Sequence, residues 1–504
     1  MTSLTQRLAD FAAHTRFEDL PATVVTESKR LLLDTIGCAL GAVRTESGRI
    51  ALDYVHLLGG KPHATVLGTT QRSSATAAAY ANARLANVLD ADDTFPTSTH
   101  FGNATVFSAL ALAELDGRSG RDLLTAIAVG FDVGARIGSW MGAPMQIENG
   151  KVIGWNELGG PAATITWAAI GASVNVAGLD AKQANHAFGI GGSNSPQPTL
   201  RKWAESVEQP MYKYADAGWC AEIGVSSALL GRLGSTGFKD ILDGPNAFWK
   251  LYGSPSHDDE ALLAGLGSDW QILNTTYKPW PCCRWIHHPL TAFTRLLAQH
   301  ELRPEEIERV VVRANPFALT PIFLEQQPRD PLSAEFSHAH ALAAAAWQIP
   351  AGPLWYEPQT MLDERIVAFR SRVSVTAEPS SSNIAEWMTG GQWRGVPGGV
   401  DIYARGQVFS CTADHASGDP WSASTLFSNE QISRKFNVMV GLGERGDGPP
   451  ALQNAARELS NAVMTLDTGP ISRIADSLSA LALATTSPST PLHTLQADGV
   501  VQRS

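Results

Sequence analysis

Cysteine is scarce in this chain. There are five in 504 residues: Cys38, Cys220, Cys282, Cys283 and Cys411. An odd number without framework spacing excludes a disulfide scaffold. No CxxC pair occurs, and the adjacent Cys282 and Cys283 are poorly placed to ligate one ion together, so zinc and iron–sulfur ligand sets are missing. A metal-free reaction without a cofactor is expected. Charge is sparse as well: charged residues make up 17%, the net charge is -11 and no Lys/Arg cluster appears, which argues against nucleic acid as a partner. Long apolar runs are also lacking. The stretch 31–43 is too short to span a bilayer and is broken by Asp34, and no basic leader opens the chain, so no membrane partner and a cytoplasmic location are expected. Neither a Walker sequence nor a G-x-S-x-G elbow is present. Gly189-Ile190-Gly191-Gly192-Ser193 follows an alanine-rich helix where a dinucleotide fold needs a strand, so it reads as a helix end turning into a loop.

What the chain does have is helix-forming alanine. Apolar periodicity predicts helices at 21–42, 74–89, 104–115, 120–137, 161–177, 181–188 and 219–233. The texture changes after Lys278: a helix at 288–299 is followed by strand-like runs at 307–313, 366–375, 399–404 and 406–411, and from Phe436 the pattern is helical again. The expected fold is mainly α. It comprises a large helical domain built from both chain ends (1–268 and 412–504) and a smaller inserted α+β domain (269–411) acting as a lid. The fourteen tryptophans read as packing and interface residues, which fits a homodimer.

Chemistry is expected where acid, hydroxyl and imidazole groups gather around one helix break. Asp90 and Thr94 are four apart and would share one face of a helix end, after which Pro96 forbids continuation. Asn103 would cap the next helix, placing His100 ahead of an N-terminus whose N–H groups favour a substrate carboxylate. A carboxylate, a hydroxyl and an imidazole beside an anion hole suit proton transfer at carbon next to a carboxylate. The alternative is a plain helix end with a packed histidine.

Several motifs in fixed order carry a resemblance. Asp90, Thr94 and His100-x-Gly, the helix Leu31-Leu32-Leu33-Asp34-Thr35-Ile36-Gly37, Lys213 followed by Gly218, and Lys278-Pro279-Trp280-Pro281-Cys282-Cys283-Arg284 followed by His287 are four of them. Ala334-Glu335-Phe336-Ser337, Gly418-Asp419-Pro420 and Arg434-Lys435-Phe436 extend it toward the C-terminus. Together they resemble the MmgE/PrpD family, whose members include dehydratases and decarboxylases of small polycarboxylic acids. The resemblance implies the same two-part helical fold, and it implies carboxylate-binding roles for Lys213 and Lys278.

Two positions depart from the pattern. Gly154-Trp155-Asn156 resembles a family segment that carries histidine where Asn156 stands, and Cys283 occupies another histidine position. Asparagine orients a substrate oxygen but is neither acid nor base at neutral pH. A thiol beside Lys278 and Arg284 is expected to have a lowered pKa and to transfer protons, the alternative being a small buried hydrophobe. Pro279 and Pro281 keep this segment extended, so Arg284 and His287 flank a loop open to a cleft. His338 and His340 point to different faces of an alanine-rich helix and form no metal site, and His340 is kept as a cleft-lining residue.

The expected activity is therefore a metal-independent lyase of hydro-lyase type acting on a small di- or tricarboxylic acid or a related carboxylated metabolite through α-proton abstraction. Asp90 and His100 transfer the proton, Thr94 orients, Lys213 and Lys278 hold carboxylates, and Cys283 assists; Asn156, Arg284, His287 and His340 bind substrate. A cofactor-independent isomerase or epimerase and a decarboxylase are the alternatives on the same scaffold, with a non-catalytic binding protein behind them.

Overall fold

A computed structural model describes residues 3–485 apart from 98, 143–144, 150, 157–163, 207–208 and 390–391. The tail from 487 onward lies outside the described residues. Helix accounts for 56% of the chain and strand for 9%, so the protein is mainly α with a small α/β region.

The N-terminal part is a stack of helices, α1 (Leu4–His14), α2 (Ala22–Ala42), α3 (Glu46–Leu58), α4 (Ala75–Asn87), α5 (Gly102–Asp116), α6 (Gly120–Trp140), α7 (Ile165–Ala177), α8 (Ala181–Ser193) and α9 (Ala217–Arg232). Their starts follow from local chemistry. Ser74 accepts from the Ala77 N–H at the head of α4, and Ser119 and Asp122 close a reciprocal capping box on α6. α6 is long and apolar enough to cross a membrane, but it lies buried in the core against α7. α9 packs across α4, α5, α7 and α8.

α8 corrects one expectation. The glycines after Phe188 do not end the helix, which runs on to Ser193. A Cβ on Gly189 would lie 2.0 Å from the Phe238 carbonyl oxygen, so this glycine admits a neighbouring backbone and does not mark a turn.

The later segment carries α10 (His287–His300), β1 (Ile307–Ala314), α11 (Pro331–Glu335), α12 (His338–Ala346), α13 (Glu364–Arg370), β2 (Val373–Ala377), β3 (Gly398–Ala404) and β4 (Gln407–Ala413). The sheet order is β4-β3-β1-β2, with β1 and β2 parallel and the other pairs antiparallel. α10 covers β3 and β4, where Val400, Ile402 and Ala404 are buried. The single strand expected over 366–375 is instead α13 followed by β2. Asp363 caps the Arg365 N–H, and Ile366 and Phe369, three apart, share the buried face of a short helix. The chain closes with α14 (Asn429–Met439), α15 (Pro450–Met464) and α16 (Ser472–Thr485). α14 and α15 return to pack on α2.

Candidate active site

The centre of the site is the turn after α4. The helix ends at Asn87, and Asp90 sits beyond it with φ +49°, in the left-handed region that aspartate tolerates better than most residues. Asp90 and Thr94 therefore do not share a helix face. Thr94 instead forms a backbone bridge with Thr276, each N–H donating to the other's carbonyl at 2.9 Å. That bridge brings the 90–94 turn against the segment leading to Lys278. The same segment is held from behind by Gly418, whose carbonyl accepts the Tyr277 N–H at 3.2 Å. A Cβ on Gly418, at φ +98°, would lie 1.7 Å from the Tyr277 carbonyl oxygen, which is why glycine stands in this block.

Two buried lysines converge on one carboxylate. Lys213 Nζ lies 2.5 Å and Lys278 Nζ 2.8 Å from Asp90 Oδ1, and Lys278 also donates to the Asp90 carbonyl at 2.7 Å. Lys278 is 0% exposed, Asp90 1% and Lys213 3%. Burial pushes the Asp90 carboxyl up, but the two ammoniums outweigh it and hold it well below its ordinary range. Burial likewise pulls the Lys213 ammonium down, and Asp90 more than restores it. An ammonium has three donors; Lys213 uses one and Lys278 two on Asp90, so further hydrogen-bonding directions remain for a substrate oxygen.

His100 completes the floor. Its Nδ1 lies 2.7 Å from the Asp93 carbonyl, which makes Nδ1 the protonated nitrogen and turns Nε2 toward Asp90 Oδ1, 3.7 Å away. Burial, opposed by Asp92 and assisted by the two lysines, lowers the imidazole pKa to about 4. His100 is therefore neutral at pH 7, with an available lone pair. The Asp92 carboxyl is also lowered: burial raises it, but the positive charges around it, Lys213 and Lys278 among them, bring it down. Its Oδ2 accepts from Asn87 and Asn103, both at 2.8 Å.

The anion hole expected at the start of α5 is already filled. Asp93 Oδ1 accepts the Gly102 N–H at 2.9 Å, and Asn103 accepts from its neighbour Ala104 while its amide serves Asp92. Phe101, not Asn103, is the N-cap. Lys435 braces the turn from below, donating to the Ala91 carbonyl at 2.6 Å and pairing with Asp34 at 2.7 Å.

The remaining sequence candidates fall into different places. Thr94 borders a cleft with Thr276, Arg284, Trp285 and Trp393, and its buried Oγ1 has no hydrogen-bond partner. Arg284 pairs with Asp419 and lies 3.3 Å from His288 Nδ1, so its charge is compensated inside the protein. His287 turns Nε2 to the Cys282 carbonyl at 3.0 Å. Asn156 is buried just after a short hairpin (Met145–Glu148 and Lys151–Trp155), and residues 157–163 beyond it lie outside the described residues. His340 does not line a cleft: it is enclosed within the sheet-bearing segment, held by the Trp355 carbonyl at 2.8 Å and by Arg370 at 2.6 Å. Burial and Arg370 lower it to about 3. The thiol of Cys283 is also corrected. Burial, reinforced by Asp90, pushes it up to about 12, so it is no thiolate, because desolvation outweighs the nearby lysines.

Sequence reasoning missed Glu335, at the end of α11, as a member of this cluster. It is 1% exposed, and its carbonyl accepts the Cys283 N–H at 2.8 Å, tying α11 to the Lys278 segment. Burial pushes its carboxyl well above the ordinary range; Lys213 and Lys278 oppose this and Asp90 and Asp92 add to it. Tyr356, whose buried hydroxyl has no hydrogen-bond partner, shares this environment. The available signal was a lone glutamate before an alanine-rich helix, a residue type rarely buried without a reason.

A second cleft, bordered by Arg84, Asn87, Tyr212 and Leu332, has Lys213 in its lining. Asp90, Asp92 and His100 place acid and imidazole atoms within 4.8 Å of one another, the one such trio among the described residues. A cation there would meet the two ammoniums already on Asp90 Oδ1.

Residues 6–260 match the MmgE/PrpD N-terminal domain and residues 280–445 the MmgE/PrpD C-terminal domain. The chain belongs to the MmgE/PrpD family. It is 26% identical to the cis-aconitate decarboxylase-like protein oryM of Aspergillus oryzae, over 58% of this chain and 61% of that protein. It is 25% identical to a cis-aconitate decarboxylase of Aspergillus terreus (61% of this chain, 62% of that one) and 27% identical to the cis-aconitate decarboxylase of Homo sapiens (62% and 64%). These matches span less than two thirds of the length of the curated relatives.

Proposed function

We propose that this MmgE/PrpD protein is a metal-independent lyase acting on a small di- or tricarboxylic acid. The observation that carries this reading is the buried pair of lysines on Asp90 Oδ1, with His100 Nε2 3.7 Å from the same oxygen. Charge that develops beside a carboxylate when an α-proton leaves is enolate-like, and two fixed ammoniums in a dry site stabilise it strongly. His100 Nε2 is the base, Asp90 fixes the positions of Lys213 and Lys278, and Thr94 offers an uncommitted hydroxyl to the substrate. Elimination of water is the first chemistry that this supports. Decarboxylation in the same cleft is the second, and the names of the relatives favour it. Epimerisation is supported least, because its second proton carrier would be Cys283, whose thiol is pushed away from ionisation.

The test is a panel containing cis-aconitate, citrate and 2-methylcitrate, read by mass in deuterated water with and without EDTA. A product differing by water or carbon dioxide, formed at the same rate in EDTA, is expected. Deuterium exchange with no other mass change would replace the lyase reading with an epimerase. Loss of activity in EDTA, restored by one divalent ion, would end metal independence.

A further inference from the structure

Lys213 reaches Asp90 from a stretch with no regular structure of its own. Among the described residues of 206–216, between the short helix Leu200–Glu205 and α9, none lies in a helix or strand. Such a backbone is fixed by the side chains that satisfy its polar groups. Here one guanidinium acts on both sides of the lysine. Arg84 stands in the last turn of α4; its Nη1 lies 2.5 Å from Asp216 Oδ2, and its Nη2 donates to the Met211 carbonyl. Met211 is two residues before Lys213 and Asp216 three after it. The Tyr212 ring centre lies 5.6 Å from the guanidinium carbon, and Ser47 at the start of α3 donates to the same Met211 carbonyl at 3.2 Å. Asp216 also accepts the Gly218 N–H at 2.9 Å, so the far side of this clamp is the first turn of α9. The Arg84 and Asp216 side chains are 12% and 11% exposed, which spares their pairing most of the screening that a surface pair meets.

We infer that Arg84 is a positioning residue for Lys213. It ties the helix that leads to Asp90 to the stretch that carries the lysine, and so sets where the ammonium stands relative to the carboxylate. Its bearing on catalysis rests on the lyase reading above. A lysine side chain is long and rotamer-rich, and a substrate carboxylate that draws on its donors loosens its hold on Asp90. The anchored backbone keeps the ammonium within reach of both. A planar fork suits this task, because two N–H directions meet a carboxylate and a carbonyl together, whereas a lysine at this position would meet them one at a time.

Lys278 has separate supports. The Thr94–Thr276 bridge and the Cys283 N–H on the Glu335 carbonyl hold its segment, and neither involves Arg84. Two lysines on one carboxylate are thus placed independently, and Arg84 governs one of them.

That independence makes the assignment testable on the full chain. In a short pulse of acetic anhydride read by peptide mass, Arg84→Gln should label Lys213 on the order of tenfold faster than the wild type, the effect of losing one charge-assisted hydrogen bond, with Lys278 within about twofold. Asp216→Asn should show the same selectivity, because asparagine still caps α9; it gives the answer even where Arg84→Gln does not fold. With whichever of cis-aconitate, citrate or 2-methylcitrate the wild type turns over, Arg84→Gln should lower kcat/KM on the order of tenfold, and Arg84→Lys should recover part of the loss. A merely structural residue would loosen both lysines together. Equal rises at Lys213 and Lys278, or Lys213 labelled at the wild-type rate in both variants, overturn the assignment. If labelling is selective and the wild type turns over none of the three acids, the lyase reading fails while the placement of Lys213 by Arg84 stands.

Discussion

Replacing Asp90 with asparagine isolates the electrostatic design of the site. The shape is almost unchanged, yet two ammoniums, both 3% exposed or less, lose the carboxylate they share. Breaking a buried ion pair by removing one partner costs about 3–5 kcal/mol, because a desolvated charge is left uncompensated. That is a large share of a total stability of about 5–15 kcal/mol. At about 1–2 °C per kcal/mol for a core of this size, the expected fall in Tm is about 3–10 °C. The pH dependence follows from the directions of the shifts. The Asp90 carboxyl is lowered in the fold, so its contribution is complete above the unfolded value of about 3.9 and is lost as pH falls through the folded one. Lys213 is raised, so its share is complete below about 10.4 and is lost as pH climbs through its folded value. The Tm gap between wild type and Asp90→Asn should therefore be flat from about pH 5 to about pH 9. Thermal melts by circular dichroism across that range measure it. Adding Lys213→Met to Asp90→Asn removes one orphaned charge and should recover part of the lost stability. An Asp90→Asn protein as stable as the wild type would refute the claim that the lysines depend on this carboxylate.

Two further outcomes follow from the same environment. His100 must be neutral to act as base, and its pKa is held at about 4, so kcat/KM should persist through pH 6.5 and fall only as pH drops through about 4. A pH–rate profile with its acid limb near the ordinary histidine value would contradict this, as would a His100→Ala enzyme retaining more than about a hundredth of the wild-type kcat. Cys283→Ser should leave kcat within a few fold, because a thiol pushed up to about 12 is not the proton carrier; a loss as deep as that of His100→Ala would restore the thiol to the chemistry.

Much of this was legible in the order of residues. Apolar periodicity places α2, α4, α6 and α10 to within a few positions, because a helix facing a core must repeat its apolar side every three to four residues. The spacing of Asp90, His100, Lys213 and Lys278 within recognisable motifs singles out the four side chains that meet. Where side chains point was not legible. Asp90 was expected on a helix face and sits in a left-handed turn; the start of α5 was expected to be open and is filled by Asp93. His340 was expected at a cleft and is sealed behind Trp355 and Arg370. Protonation depended still more on tertiary structure. Cys283 has a lysine and an arginine close by in the chain, which argues for a thiolate, but burial decides otherwise. Glu335 looks like an ordinary surface glutamate until α11 is folded against the Lys278 segment. Sequence patterns record which residues repeat and which are present, whereas desolvation and pairing between residues more than a hundred positions apart exist only once the chain has closed around them.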